Sequence, residues 1–316
     1  MPIPISLLID DSSPLNTMFW HQPQREHAHT VHNRFTGQFA DLCAAHGAKG
    51  KFTVLPIPCG RGRIDRKLAH LPARHLEGFL NIVREKIVPR FDITPEILTH
   101  SLAYRQADGE LWHVCEDEWV ARSSVEQIAD YIALALRILG NVGLPASGVT
   151  SPWNTGAGNE RQYVQGIARA MWRVRRRKVS WYFLHVLGRG PARWPWVSWR
   201  SRTTGQVVVS VPATTDDHFW GTQQRPLRAA RAAAKAGVDA LLTADGGAGR
   251  IRELFDMAAP ILILTHWQSL YSDGAAAGLA GLEKLLARID RVFGGDVAWT
   301  TCGELARRAV AARSRV

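Results

Sequence analysis

Apolar positions along this chain alternate between short, nearly continuous runs and longer segments with helical spacing. Residues 3–9 form the first apolar run, which predicts a buried β-strand. An amphipathic helix is predicted after it, because apolar residues then recur every three or four positions, at Val31, Phe35, Phe39 and Leu42. This change of period is typical of a strand–helix unit.

The strand–helix unit is repeated along the whole chain. Further strands are predicted at residues 51–57, 95–99, 148–151, 180–186, 207–211, 240–243, 261–265 and 297–300. Strands that alternate with helices of this length favour a parallel sheet with both faces covered. Seven or more such units in 316 residues fit a closed barrel better than an open sheet. We therefore expect an α/β fold, a distorted TIM-like (β/α) barrel, as a single domain over residues 1–312 with a tail at 313–316.

Composition and charge narrow the class of protein. The formal net charge is +11, but the excess is mostly arginine spread over several predicted helices, and no nucleic-acid-binding motif accompanies it. The four cysteines are scattered without a CxxC pair, so neither a zinc knuckle nor a disulfide framework is indicated. No apolar run approaches the roughly 20 residues of a membrane span, and residues 1–5 lack the features of a secretory signal. We expect a cytoplasmic protein with reduced thiols, no nucleic-acid partner and no membrane span; its oligomeric state is left open.

Titratable and aromatic side chains directly follow several predicted strands. They are Asp10 and Asp11, His100, Pro152 and Trp153, Asp216 and Asp217 with His218 and Trp220, and His266 and Trp267. In a parallel barrel the C-terminal strand ends meet at one mouth, which carries the functional site. Adjacent aspartates point to different sides of an extended chain, so one can hold a metal while the other meets water or substrate. Taken singly, each aspartate can also serve a turn and each histidine can be structural; their joint occurrence favours a site.

Four short motifs occur in a defined order. They are Ile9-Asp10-Asp11, Thr99-His100-Ser101-Leu102-Ala103-Tyr104, Ser151-Pro152-Trp153 and Leu262-Ile263-Leu264-Thr265-His266. Their order, spread over the whole chain, resembles the polysaccharide deacetylase (NodB-homology) superfamily, with its Asp-Asp, His-Ser/Thr-x-x-His, Arg-x-Pro-aromatic and Leu-His motifs. The resemblance implies a deacetylase-type barrel and a carbohydrate or glycan substrate.

Roles follow from this resemblance residue by residue. Asp10 matches the family's catalytic base, and His266 matches the general acid that protonates the leaving group. Asp11 and His100 match two of its three metal ligands. Trp153 matches the aromatic residue that lines the sugar groove. The resemblance thus implies a divalent, zinc-like cofactor and metal-assisted acyl hydrolysis, in which a base and an acid move the protons.

Tryptophans outside the predicted helices suit a carbohydrate groove, because sugar rings stack on aromatic faces. Trp20 and Trp267 are therefore further candidates for substrate binding, together with Asn154 beside Trp153. For any single tryptophan, packing in the core is the alternative.

Three positions depart from the family's pattern. Tyr104 stands where the family has its second metal-binding histidine, Thr150 where it has an arginine, and Ser12 where it has a glycine. Two protein ligands make a weak zinc site unless another group completes it. Candidates for that group are His21, Glu116, Glu118 and Asp217. Loss of the arginine removes the side chain that would orient Asp10.

Three functions remain open on the sequence. The first is metal-dependent deacetylation of a sugar or polysaccharide. The second is a glycoside hydrolase on the same barrel, in which Asp10 or Asp11 works with a second carboxylate, from Glu116, Glu118 or Asp217. The third is a relative that binds glycan without catalysis.

Overall fold

Parallel strands from the beginning, middle and end of the chain form the centre of the molecule. The computed structural model describes residues 2–17 and 30–313. The strands are β1 (Ile3–Asp10), β2 (Gly50–Val54), β3 (Gly62–Arg63), β4 (Lys67–Leu68), β5 (Phe91–Pro95), β6 (Leu102–Tyr104), β7 (Leu111–Cys115), β8 (Val149–Thr150), β9 (Val179–Phe183), β10 (Trp196–Arg200), β11 (Val207–Ser210), β12 (Ile261–His266) and β13 (Val297–Trp299). The helices are α1 (Asn33–Ala45), α2 (Ala73–Ile82), α3 (Glu116–Arg122), α4 (Val125–Asn141), α5 (Glu160–Arg175), α6 (Leu227–Leu241), α7 (Arg250–Asp256), α8 (Trp267–Tyr271), α9 (Ala277–Phe293) and α10 (Cys302–Arg313).

Two sheets contain most of these strands. The five-stranded sheet has the order β12-β1-β2-β5, all parallel, with β13 also paired to β1. The four-stranded sheet has the order β10-β11-β9-β8, in which β10 is antiparallel to its neighbour and the others are parallel. Two short hairpins, β3–β4 and β6–β7, lie outside these sheets. The α/β class with parallel strands and covering helices is therefore confirmed.

The two sheets meet at two seams where the hydrogen-bond ladder is interrupted. At the first, β5 and β8 are linked by a single bridge between Glu96 and Thr150 and by the N–H of Ile97, which donates to Thr150 O at 3.1 Å. At the second, Thr214 beyond β11 donates its N–H to Leu262 O of β12 at 2.9 Å. The main strands thus follow one another around a ring. The predicted closed barrel is nevertheless not confirmed, because the strands of the described residues do not form one closed sheet.

Alternate residues of the strands enter two different apolar clusters. Ile5, Leu7 and Ile9 of β1 belong to the large cluster formed with the surrounding helices. Leu8 belongs instead to a smaller cluster between the sheets, with residues of β9, β11 and β12, and with Leu305 of α10. This two-residue period is the alternation expected of a strand covered on both faces. Polar residues at the inner positions therefore face the space between the sheets.

Most of the strands predicted from the sequence lie within a few residues of the observed strands, but two predictions differ more. Residues 240–243 were predicted as a strand, but α6 continues to Leu241 because Val238 and Leu241 keep the helical spacing of its buried face. The strand predicted at 95–99 lies earlier, at Phe91–Pro95. The chain leaves the extended conformation at Ile97, whose φ is +43°. Within the described ranges, no helix combines the length and the hydropathy needed to cross a bilayer.

Candidate active site

Four of the residues singled out in the sequence meet at the C-terminal edge of the five-stranded sheet. Asp10 and His266 are partners in the parallel register of β1 and β12. Nε2 of His100 lies 3.1 Å from Oδ1 of Asp11. Asp11 and His266 interact electrostatically, as do His100 and His266. Side chains from three distant parts of the sequence therefore face one space.

The backbone at this edge is strained. Asp11, Ile97, His100 and Trp153 all have positive φ, between +43° and +60°, although none is a glycine. Aspartate and histidine tolerate this left-handed region better than most residues, but a β-branched isoleucine there is an outlier. Such strain clusters at functional sites, where the surrounding structure imposes it.

Glu96, which the sequence did not single out, completes a three-residue cluster with Asp11 and His100. One donor atom from each residue can be chosen so that all three lie within 4.8 Å of one another. Oε2 of Glu96 accepts the backbone N–H of Asp11 at 2.7 Å, and Oε1 lies 3.7 Å from Nε2 of His100. Oδ1 of Asp11 is buried and has no hydrogen-bond partner among the described residues. Two carboxylates and an imidazole, with one carboxylate oxygen that lacks a hydrogen-bond partner, form a ligand set that fits a divalent cation.

The electrostatics of this cluster agree with a cation site. Burial raises the pKa of Asp11, and the neighbouring Asp10 carboxylate raises it further, against the opposing effect of His266. Burial likewise raises the pKa of Glu96, with additional repulsion from Asp11 and Asp10. Burial lowers the pKa of His100, which favours the neutral imidazole that binds metals. A bound cation would offset the repulsion between the carboxylates.

Within the described part of the chain, two positions considered for the third ligand, Tyr104 and Glu118, lie away from this cluster. Tyr104 is on the β6–β7 hairpin, where its hydroxyl lies beside Gly109, so Glu96 rather than Tyr104 stands next to Asp11 and His100. Glu118 is exposed on α3. His21 lies outside the described residues.

Glu116 is a buried clamp for the loop that carries His100. Its carboxylate accepts the backbone N–H groups of Thr99 and His100 and the hydroxyl proton of Tyr131, each at 2.8 Å. Burial raises the pKa of Glu116 to about 7, against the lowering effect of these hydrogen bonds. Its oxygens are engaged with these three donors, and it does not belong to the cluster of Asp11, Glu96 and His100.

Asp217 forms a charged pair with His266. Nδ1 of His266 lies 2.8 Å from Oδ2 of Asp217, which also accepts the hydroxyl of Ser269 at 2.6 Å. Burial opposes the charged forms of both residues, but their mutual hydrogen bond raises the pKa of His266 to about 10 and holds that of Asp217 below its usual value. The sequence offered Asp217 as a metal ligand or second carboxylate; the structure engages it with an imidazolium instead.

Lys51 of β2 is the second residue that the sequence analysis missed. Its ammonium forms an ion pair with Oδ1 of Asp10 and donates to Oγ1 of Thr150 at 3.1 Å. Thr150 stands where the family has an arginine, and in this structure Lys51 supplies a cation beside Asp10. The signal was present, since a lysine in a predicted buried strand requires a partner. Glu96, four residues before His100, offered a comparable signal.

Two exposed tryptophans flank the histidines of the site. Trp153, 51 % exposed, lies with its ring centroid 4.6 Å from that of His100, and Asn154 beside it is also exposed. Trp220, 47 % exposed, meets His266 edge-on at 4.9 Å. Aromatic faces open to solvent on both sides of a polar centre are suited to binding a sugar ring.

Trp267 does not belong to this surface, and its predicted role in substrate binding is wrong. It is completely buried, with its ring among Phe35, Phe39 and Phe52, and its indole N–H donates to Ser13 O at 3.2 Å. The reversal of side-chain direction after His266 turns it into the core. Trp20, the remaining candidate, lies outside the described residues.

Comparison with known proteins gives structural matches only. No family model and no curated protein matches the sequence. The matching solved structures include a mutant of a CE4 family pseudoenzyme, with a TM-score of 0.40 and 10 % identity over 96 % of this chain and 67 % of the other. A Parabacteroides distasonis protein, provisionally assigned as a glycoside hydrolase/deacetylase, matches with a TM-score of 0.49 and 9 % identity over 96 % and 70 %.

The 4-alpha-glucanotransferase of Thermococcus litoralis matches with a TM-score of 0.48 and 12 % identity; 98 % of this chain is covered, but only 40 % of the other. Because all three TM-scores are below 0.5, function has to be inferred from the side chains of the site.

Proposed function

We propose that this chain is a metal-dependent deacetylase of a sugar or polysaccharide. The observation that carries the proposal is the juxtaposition of two groups: the cluster of Asp11, Glu96 and His100, and the charged pair of His266 with Asp217. The first group has the composition of a divalent-cation site, and the second can deliver a proton. Metal-assisted acyl hydrolysis combines both functions at adjacent positions.

Asp11, Glu96 and His100 would hold the cation, each through one donor atom. A divalent metal in this position supplies a Lewis acid that polarises the acyl carbonyl and lowers the pKa of water. The hydrogen bond from the Asp11 N–H to Glu96 fixes the two carboxylates relative to each other, and the Glu116 clamp fixes His100. The ligands are thus held in place by the protein before any ion binds, which favours affinity.

Asp10 and His266 would move the protons. Asp10 takes a proton from the attacking water, and His266 gives one to the departing amine or alcohol of the sugar. Asp217 keeps the imidazole of His266 protonated through Nδ1 and directs Nε2 away from itself. Asp10 and His266 are register partners on the neighbouring strands β1 and β12, which supports their assignment as base and acid.

Trp153 and Trp220 would bind the sugar. Each exposes about half of its surface and contacts one of the two site histidines. Stacking of the apolar face of a sugar ring on an indole needs this combination of exposure and rigid placement. Asn154 adds an exposed amide at the same edge.

The glycosidase alternative is disfavoured by the engagement of its second carboxylates. Glu116 accepts three hydrogen bonds within the protein, and Asp217 is paired with His266. Glu118 is exposed on α3 rather than buried at the strand ends. The alternative of glycan binding without catalysis gives no reason for the ion pair between His266 and Asp217, so this pair favours a catalytic function.

The test is acetate release from N-acetylated and O-acetylated oligosaccharides, measured before and after chelation. We expect one tightly bound divalent ion per chain, loss of hydrolysis on its removal, and recovery on adding Zn²⁺ or Mn²⁺. Asp10→Asn would abolish hydrolysis and leave glycan affinity intact. Metal-free protein as purified, hydrolysis that is indifferent to chelators, or binding of glycan with no acetate release in any metal form would each refute the proposal.

A further inference from the structure

Lys51 is a completely buried lysine in the interior between the sheets. Its ammonium contacts groups from three other strands: Oδ1 of Asp10 on β1, Oγ1 of Thr150 on β8, and the ring of Phe183 on β9, whose centroid is 4.4 Å away. Each contact compensates part of the cost of removing a cation from water. The head group is therefore held at one point, below the edge where Asp10 lies.

Stability alone gives a weak reason for this arrangement. A buried ion pair is often no more stable than well-packed apolar residues of similar volume, because both charges must be dehydrated. Leu8 of β1 and Leu264 of β12 show that apolar side chains are accommodated in the same interior. A lysine that is anchored by a hydroxyl and an aromatic ring, and that touches one oxygen of Asp10, instead fixes the orientation of that carboxylate.

Thr150 anchors the Lys51 ammonium by a hydrogen bond that does not involve Asp10. Its hydroxyl lies 3.1 Å from the Lys51 ammonium and 2.9 Å from Oγ1 of Thr94 on β5. The two threonines and the lysine form a short chain of hydrogen bonds across the seam between β5 and β8. The Lys51 ammonium is thus held by Thr150 as well as by Asp10, and neither threonine belongs to the proposed metal cluster.

We propose that Lys51 is the positioning residue for Asp10, holding its carboxylate in the orientation from which it accepts a proton, with Thr150 as the anchor of the ammonium. The inference rests on the proposed function, because it assigns Lys51 to the reaction in which Asp10 is the base. Lys51 itself stays buried and does not contact the substrate.

The experiment compares Lys51→Met with the double variant Lys51→Met/Thr150→Arg, which supplies a new cation from the neighbouring side chain. We expect kcat of Lys51→Met to fall about 100-fold with KM nearly unchanged, in line with the contribution of a well-oriented base. Metal content, measured by elemental analysis, stays at the wild-type value. The double variant regains about tenfold in kcat, because a cation returns to the side of Asp10. Lys86→Met, which breaks an exposed ion pair with Asp41, is the matched control and keeps wild-type kinetics.

Crystal structures of the wild type and of Lys51→Met separate this proposal from the proposed function. We expect the Asp10 carboxylate to rotate or become disordered when Lys51 is absent, whatever the reaction. If the wild type releases no acetate, the proposed function fails while this structural comparison still decides the role of Lys51. An unchanged Asp10 orientation in a folded Lys51→Met protein overturns the proposal, as does an active wild type whose Lys51→Met variant keeps kcat within about threefold. A Thr150→Arg double variant that does not fold leaves these two criteria in force.

Discussion

Glu96 and Asp11 are joined by a hydrogen bond from the Asp11 backbone to the Glu96 carboxylate, at 2.7 Å, while their side chains face the same space as His100. Glu96 comes from the end of β5 and Asp11 from the end of β1, so the bond links two strands that are separated by β2. The cluster is therefore assembled by the sheet itself rather than by one loop.

Replacement of Glu96 by glutamine tests its role as a metal ligand. The amide has the same size as the carboxylate but lacks its charge, so we expect the affinity for Zn²⁺ or Mn²⁺ to fall by about 100-fold or more. Loss of a residue that only hydrogen-bonds to a metal ligand already costs about 10- to 100-fold in affinity. Equilibrium dialysis with the metal alone measures this. Glu118→Gln, at an exposed position on α3, is the matched control. Equal affinities of wild type and Glu96→Gln would show that Glu96 is not a ligand.

Replacement of Asp217 by asparagine tests the charged pair. Without the carboxylate, His266 loses the partner that keeps it protonated, so we expect kcat for acetate release to fall about 100-fold or more. Metal binding stays unchanged, because Asp217 is not in the metal cluster. The neighbouring, partly exposed Asp216 provides the control variant, Asp216→Asn. Full activity of Asp217→Asn would mean that His266 is not the proton donor.

The same pair makes stability depend on pH. The folded-state pKa of His266 is raised from 6.5 to about 10, so its contribution is complete below about pH 6.5 and is lost as the pH rises through 10. The lowered pKa of Asp217 sets the other limit: its contribution is present above its usual pKa of 3.8 and is lost in more acidic solution.

Urea unfolding of wild type and His266→Gln between pH 5 and pH 10 measures this dependence. We expect the difference in free energy of unfolding to be largest near pH 5–6 and to decrease steadily toward pH 10. A difference that is constant over this range would contradict a protonated His266 in the folded protein.

Trp267 in the core and Trp153 at the site are expected to respond differently to truncation. Trp267→Ala removes a buried ring from an aromatic cluster and should lower the free energy of unfolding by about 3–5 kcal/mol. Trp153→Ala removes an exposed ring, so we expect little change in stability but a KM for oligosaccharide about tenfold higher. Chemical denaturation and steady-state kinetics measure the two effects. Trp172→Ala, on the exposed side of α5, is the control for the second; an unchanged KM in Trp153→Ala would remove Trp153 from the groove.

Much of the fold and part of the site could be predicted from the sequence, because both depend on local patterns. Apolar runs and helical spacing identified most strands, and the rule that parallel strands present their C-terminal ends together predicted that Asp10, Asp11, His100 and His266 would meet. The error at residues 240–243 arose because a short apolar segment that ends a helix has the same composition as a buried strand.

The remaining parts of the site depend on long-range geometry. The side chains of Glu96 and Lys51 point to the inside of the sheets, and which face is inside is decided only when the two sheets meet. Trp267 follows His266 directly, yet it points into the core, since neighbouring residues in the chain can face opposite sides. Asp217 pairs with His266 across 49 residues, a distance over which spacing carries no information.

The left-handed backbone at Asp11, Ile97, His100 and Trp153 implies a conflict between thermal stability and the proposed catalytic function. Each such residue costs of order 1–3 kcal/mol, which glycine would largely relieve. Selection for thermal tolerance alone would therefore favour glycine at these four positions. Such selection would replace two proposed metal ligands, Asp11 and His100, and the exposed Trp153 by glycine. On the proposed function, the resulting proteins would be more stable but would no longer catalyse hydrolysis.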